Sequence, residues 1–161
     1  MKKVIVMLLA VVFYTGSNSA DAQNSDKAVL LNVHAIRSDG GAVKATRDFW
    51  NRVGDRKEEA WYKLPKGYLA TYTEEGVESR YVYDQKGNWM YSMLTYQENH
   101  LPAEVRKEVK SNYYDYSIGW VKEVKEGEDL VYVVHVENKA EWKDLSVQNG
   151  EIQVLKAFCK K

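Results

Sequence analysis

The chain has 161 residues, with 23 Lys and Arg against 23 Asp and Glu, and 45% of its residues are hydrophobic. Those proportions describe a soluble globular domain, and they exclude a disordered acidic chain and a broadly basic surface built to hold phosphate backbones. A single Cys excludes an intramolecular disulfide framework and any multi-cysteine metal cluster.

In chain order, Lys2 and Lys3 precede an unbroken apolar run over residues 4–14, followed by small and polar residues ending in Ala20-Asp21-Ala22. A basic start, a short apolar core and a small-x-small site predict a secretory signal over 1–22, cleaved after Ala22. The run is shorter than the roughly 20 residues a membrane-spanning helix needs. The only Cys, Cys159, lies far from that run, so no lipid anchor is expected there and its thiol reads as inert. The expected destination is the periplasm or the exterior, with no membrane span in the mature chain.

Residues 23–41 read as an N-terminal arm or linker with one short strand around Ala28-Val29-Leu30-Leu31. Then Ala42, Ala45, Thr46, Phe49, Trp50 and Val53 recur at the spacing of one helical face, with Asp39 placed to cap the start and Gly54 the end. From Lys57 to Gln97 the period becomes two, which predicts strands over 58–64, 67–73, 77–84 and 88–96 joined by Gly-containing turns. Pro102 in a first helical turn, Glu104 near the positive end of the dipole, and the stripe Leu101, Val105, Val109 and Tyr113 predict a second helix. Tyr114, Tyr116, Ile118 and Trp120 alternate, as do Leu130, Tyr132, Val134 and Val136. Further strands are predicted near 141–147 and 151–158, divided by Gln148-Asn149-Gly150.

The two halves superpose as patterns: a helix ending in an aromatic, a strand bearing Trp61 or Trp120, a hairpin, and a Gly turn at Gly87 or Gly150 before the last strand. The predicted fold class is therefore α+β, with two tandem helix-plus-antiparallel-hairpin repeats, 42–98 and 99–161. They form one continuous antiparallel sheet with both helices on one face. A repeat of about 60 residues is marginal alone, so the pair is expected to share one core over 42–161.

Three stretches carry a likeness. Tyr81-Val82-Tyr83-Asp84-Gln85-Lys86-Gly87-Asn88-Trp89 reads as a strand, an acidic Gly turn and a Trp-bearing strand. Leu101-Pro102-Ala103-Glu104-Val105 opens the second helix, and Tyr113-Tyr114-Asp115-Tyr116 follows it. With this layout over 42–158, the chain resembles the PepSY-like family of exported bacterial proteins, whose fold is similar to that of the beta-lactamase inhibitory protein. The resemblance implies an antiparallel sheet with helices on one face and the other face free for a protein partner. It implies no catalytic residue, and fold similarity to an inhibitor does not carry inhibition with it.

No catalytic or metal signature stands in the sequence. His34, His100 and His135 are scattered, no HExxH or Cys cluster occurs, and the paired carboxylates lie mostly at turns, away from the apolar pocket that acid–base catalysis needs. No metal, cofactor or nucleic-acid partner is expected, and His135, on the face of Val131 and Val133, reads as a partly buried side chain satisfied by a neighbour. What remains is aromatic. Trp50, Tyr81, Tyr83 and Tyr132 fall on apolar stripes and read as core. Trp61, Arg80, Trp89, Tyr91, Trp120 and Trp142 are the candidate protein-binding residues, on the expectation that several line the helix-free face with Lys143. Trp89, Tyr91 and Met93 are expected to share one side there. The leading reading is a non-enzymatic periplasmic module that binds a protein, as an inhibitor or accessory of an envelope enzyme. A small-ligand carrier or sensor with an aromatic-lined concavity is the alternative, and a hydrolase with a hidden site is a third class.

Overall fold

The computed structural model describes residues 28–54 and 58–161; the predicted signal over 1–22 lies outside them. Strand β1 (Val29–Leu31) leads into a short helix α1 (Val33–Arg37) that the sequence pattern did not announce. Its start is fixed locally, since the Asn32 side chain accepts from the Ala35 N–H at 2.8 Å. Helix α2 (Gly40–Val53) follows at once, beginning two residues before the apolar stripe. Asp39 caps it as expected, accepting from the Gly41 and Ala42 N–H groups at 3.1 and 3.3 Å, and the Gly54 N–H closes the far end on Trp50 O.

The same Asp39 carboxylate accepts from Tyr68 Oη at 2.6 Å and from Lys63 Nζ at 2.7 Å, tying the helix start to two strands. Hydrogen bonds from Lys63, then Tyr68, hold its carboxyl pKa well below the ordinary value of 3.8. Because the folded protein protonates this group less readily than the unfolded chain does, its stabilisation is complete above that value and is lost as pH falls below it. Asp39→Ala should therefore cost about 1–2 kcal/mol near neutral pH, and the difference from wild type in urea unfolding should shrink as pH is lowered from about 5 to about 2.

Strands β2 (Ala60–Leu64), β3 (Gly67–Glu74), β4 (Val77–Asp84) and β5 (Trp89–Gln97) come next. A single 3-10 turn, Glu98–His100, precedes helix α3 (Ala103–Asn112), whose N-cap is Pro102 where the sequence placed this proline inside the first turn. Strands β6 (Ser117–Glu126), β7 (Asp129–Glu137), β8 (Glu141–Gln148) and β9 (Glu151–Cys159) complete the chain. All nine strands form one sheet in sequence order, every pair antiparallel. After β1 and α1 the order along the chain is helix α2, four strands, helix α3, four strands, and the class is α+β.

Directly opposed residues share a face, so the register carries one face across the sheet. Ala42, Ala45 and Phe49 of α2 pack on Trp61, Tyr68, Ala70 and Tyr83 of β2 to β4, with Phe49 edge-on to Trp61, Tyr72 and Tyr81. Val109 of α3, with Leu101 before it, packs on Tyr96, Val121, Val134, Val136, Leu145 and Val147 of β5 to β8. The pairs Ser79 with Leu94, Tyr96 with Val121 and Val121 with Val134 join the two clusters along a single face, and both long helices lie on it.

Two expectations shift, one of core and one of strand. Trp50 sits at the border of its helical stripe and is half exposed, its indole N–H donating to Glu59. Tyr114 stands outside β6 and is largely exposed, because the strand begins only at Ser117.

Candidate functional site

The face opposite the helices is shaped by three irregularities in the ladder. Between Ile118 and Val121 the register of β6 against β7 shifts, so Ile118 and Val121 both turn into the core while Trp120 turns to the open face. Uninterrupted alternation would have put Ile118 and Trp120 on the same side. A second shift, opposite Asp144 and Leu145, sets Trp142 against Phe158.

These bulges align four rings on four adjacent strands. Trp120 and His135 stack with centroids 5.2 Å apart and planes at 14°, His135 and Trp142 lie 5.5 Å apart at 39°, and Trp142 and Phe158 stack at 5.8 Å and 23°. The spacing follows from the strand separation of about 4.8 Å, which brings cross-strand rings into offset contact. His135 Nδ1 lies 2.7 Å from Asp144 Oδ1, and Asp144 is buried. The carboxylate accepts, which puts a hydrogen on Nδ1 and holds the imidazole upright between the two indoles.

Two ammonium groups flank the row. Lys122 Nζ lies 5.2 Å from the Trp120 ring centroid and Lys156 Nζ lies 5.2 Å from that of Trp142. Burial, then the charge of Arg80, lowers the Lys122 pKa. Arg80 is on the same face, paired with Glu78 at 2.6 Å. Tyr91, opposite Val82, also lies here; burial raises its hydroxyl pKa. Next to it Met93 and Val124 form a small buried pair on this side of the sheet.

Of the six candidate residues, then, Arg80, Tyr91, Trp120 and Trp142 stand on the open face, and Trp61 and Trp89 do not. Trp61 is 3% exposed and belongs to the core under α2. The reason is register: Trp61 opposes Ala70, which opposes Tyr81 on the helix side. Trp89 is parted from Tyr91 and Met93 by a third bulge at Val82/Tyr83, which pairs it with buried Tyr83. It packs against the α2 cluster with the Arg52 guanidinium 4.2 Å from its ring centroid, and its indole N–H is buried. Lys143 is also on the helix side, opposite Val136, where its ammonium contacts Glu141 and the Tyr116 hydroxyl. Those two partners, Glu141 first, raise its pKa.

Sequence reasoning missed Phe158, Asp144 and Lys156 and left His135 without a role on this surface. The turn at Asn149-Gly150 fixes Gln148 opposite Glu151, which alone would set Trp142 against Ala157; the extra residue at Leu155 moves the partner to Phe158, and no sequence signal marks it. Two further clefts, one of about 480 Å³ beside Arg80, Tyr62 and Leu69 and one of about 670 Å³ between α1, Trp50 and Trp61, are open to solvent. Among the described residues no three His, Cys, Asp or Glu side chains converge as metal ligands, and no helix is long and apolar enough to cross a membrane.

No family model and no curated protein matches the sequence. Solved structures do match it in fold. A BLIP-like protein from Bacteroides fragilis superposes with a TM-score of 0.58 at 19% identity, over 73% of this chain and 84% of that one. A DUF2874 family protein from Bacteroides ovatus gives 0.57 at 16% identity, over 72% and 85%. A Bacteroides eggerthii protein described as periplasmic gives 0.55 at 16% identity, over 72% and 86%. At such identities the likeness is one of fold, and that fold is BLIP-like.

Proposed function

We propose that this chain is a non-enzymatic binding module of the cell envelope that engages a protein partner through the open face of its sheet. The row Trp120, His135, Trp142 and Phe158 carries the reading. Its rings stand on edge across four strands with ammonium groups at Lys122 and Lys156, which combines apolar area, rigidity and charge in the way binding hot spots do. Arg80 and Tyr91 extend the surface toward the first half of the sheet. Export is supported by the signal pattern over 1–22 with cleavage after Ala22, and by the periplasmic description of one fold neighbour. The PepSY-like assignment and a duplicated helix-and-hairpin unit belong to the same proposal, supported by the repeated order of elements.

The test is a partner identified by cross-linking in envelope extract and then titrated in purified form. Trp120→Ala and Trp142→Ala should each weaken that binding by about 2 kcal/mol while lowering folding stability by about 1 kcal/mol, since both rings are only partly buried. Trp89→Ala, on the helix side, should leave affinity unchanged. Unaltered affinity in the Trp120 and Trp142 double variant would remove the ring row as the binding surface.

A further inference from the structure

At the far edge of the sheet, β9 pairs with β8 on one side and ends the strand order. Nine residues long, it contains neither Pro nor Gly, and Val154 and Phe158 are 50% and 55% exposed. Edges of this kind accept another strand unless something blocks them. From the arrangement of its charges and faces we infer that the edge of β9 left unpaired among the described residues docks a second copy of this chain, the two β9 strands pairing antiparallel about a two-fold axis.

The geometry restricts how this can happen. The Lys160 N–H donates inward to Ala140 O at 2.7 Å, so alternation along the ladder turns the backbone groups of Cys159 and Ala157 outward. Leu155 is the extra residue at the register shift, and the alternation reverses there, turning out Val154 and Ile152. The faces reverse at the same place: Phe158 stacks on Trp142 on the open side, whereas Ile152 packs on the helix-side core.

A self-pairing must match outward residue with outward residue and face with face. The register that opposes Glu151 with Lys160 of the second copy meets both conditions. It sets Ile152 against Cys159 and Val154 against Ala157 on the helix side, and Gln153 against Phe158 on the open side. By symmetry the Glu151 to Lys160 pairing occurs twice, so opposite charges stand at both ends of the paired strands. This complementarity between the first residue of β9 and the residue just past its end, reached by exchanging the Lys160–Glu137 pair for an intermolecular one, is the ground for choosing a second copy over an unrelated strand. Lys156 falls next to the axis, where two like charges would meet, but its ammonium is drawn back over its own Trp142 ring. The joined sheet would carry both ring rows on the same side.

Sedimentation equilibrium of the protein as isolated from cells, from about 10 to about 500 µM, tests the proposal. The expected result is a concentration-dependent rise in mass toward the dimer. Glu151→Lys and Lys160→Glu should each raise the dissociation constant at least about tenfold, and an equimolar mixture of the two variants should recover the wild-type value, because both charge pairs are rebuilt in the mixed dimer. Lys160 also pairs with Glu137 at 2.7 Å, so the melting temperature of its variant is measured in parallel. Hydrogen exchange supplies a second reading that needs no substitution: the Ala157 and Cys159 amides should slow as concentration rises. A monomer throughout the range, a dimer indifferent to both substitutions, a mixture that fails to recover, or amides at those positions that ignore concentration would each overturn the inference.

Discussion

Phe49→Ala should lower folding stability by about 3–5 kcal/mol, a large part of what a domain of this size possesses. Phe49 is fully buried and is the long side chain through which α2 reaches the sheet, its ring edge-on to Trp61 at 5.5 Å, to Tyr72 at 5.9 Å and to Tyr81 at 5.3 Å. Truncation removes the ring and leaves a cavity walled by three aromatics on three strands, which cannot collapse without moving the strands themselves. Urea denaturation gives the figure directly. A loss below about 1 kcal/mol would mean that α2 does not hold the first half of the sheet in solution.

Gly87→Ala should cost about 3 kcal/mol or more, for two reasons that add. The residue has a φ of 75°, and a Cβ at this position would lie 2.3 Å from Gly41 O and 2.9 Å from Ala45 N, both backbone atoms of α2. The helix start rests directly on the turn between β4 and β5, and neither side has a flexible side chain to move away. Gly76 is the control. Its φ is 81° but nothing lies within 4 Å of the place an alanine methyl would take, so Gly76→Ala should cost only the conformational part, about 1 kcal/mol. Equal losses in the two variants would show that the close approach of α2 to the turn contributes nothing.

Much of the architecture was legible because local chemistry wrote it. Asp39, Gly54, Asn149-Gly150 and the period-two runs mark the ends of elements, and β2 to β5, β8 and β9 lie within two residues of their expected bounds, whereas β6 starts three residues after Tyr114. Which face each aromatic takes was far less legible. Alternation says that residues two apart share a side, and a bulge cancels that statement without leaving a mark in composition. Three such shifts, at Val82/Tyr83, Ile118/Val121 and Asp144/Leu145, moved Trp89 to the helix side, turned Trp120 to the open side and brought Phe158 beside Trp142. Trp61 failed for another reason. It lies between partly apolar neighbours, Ala60 and Tyr62, so no alternation distinguished its two sides, and only its pairing with Ala70 and the packing of Phe49 decide it. Helix α1 was missed because five residues are too few to display a helical period.

The strict succession of strands, each beside the one before it in sequence, bears on how the chain comes to fold as it emerges, N-terminus first, from the proposed export route. Every new strand finds its neighbour already in place, a turn away except at β2 and β6, where helices intervene, so most loop closures cost little and pairing can keep pace with emergence of the chain. The growing edge is the vulnerable point. When β5 has emerged and β6 has not, Val77, Leu94 and Tyr96 have none of the partners from α3, β6, β7 and β8 that cover them in the finished protein. A pause there should leave an apolar sheet edge waiting for its next strand, and that is the stage at which a chaperone or a wrong partner would find this chain.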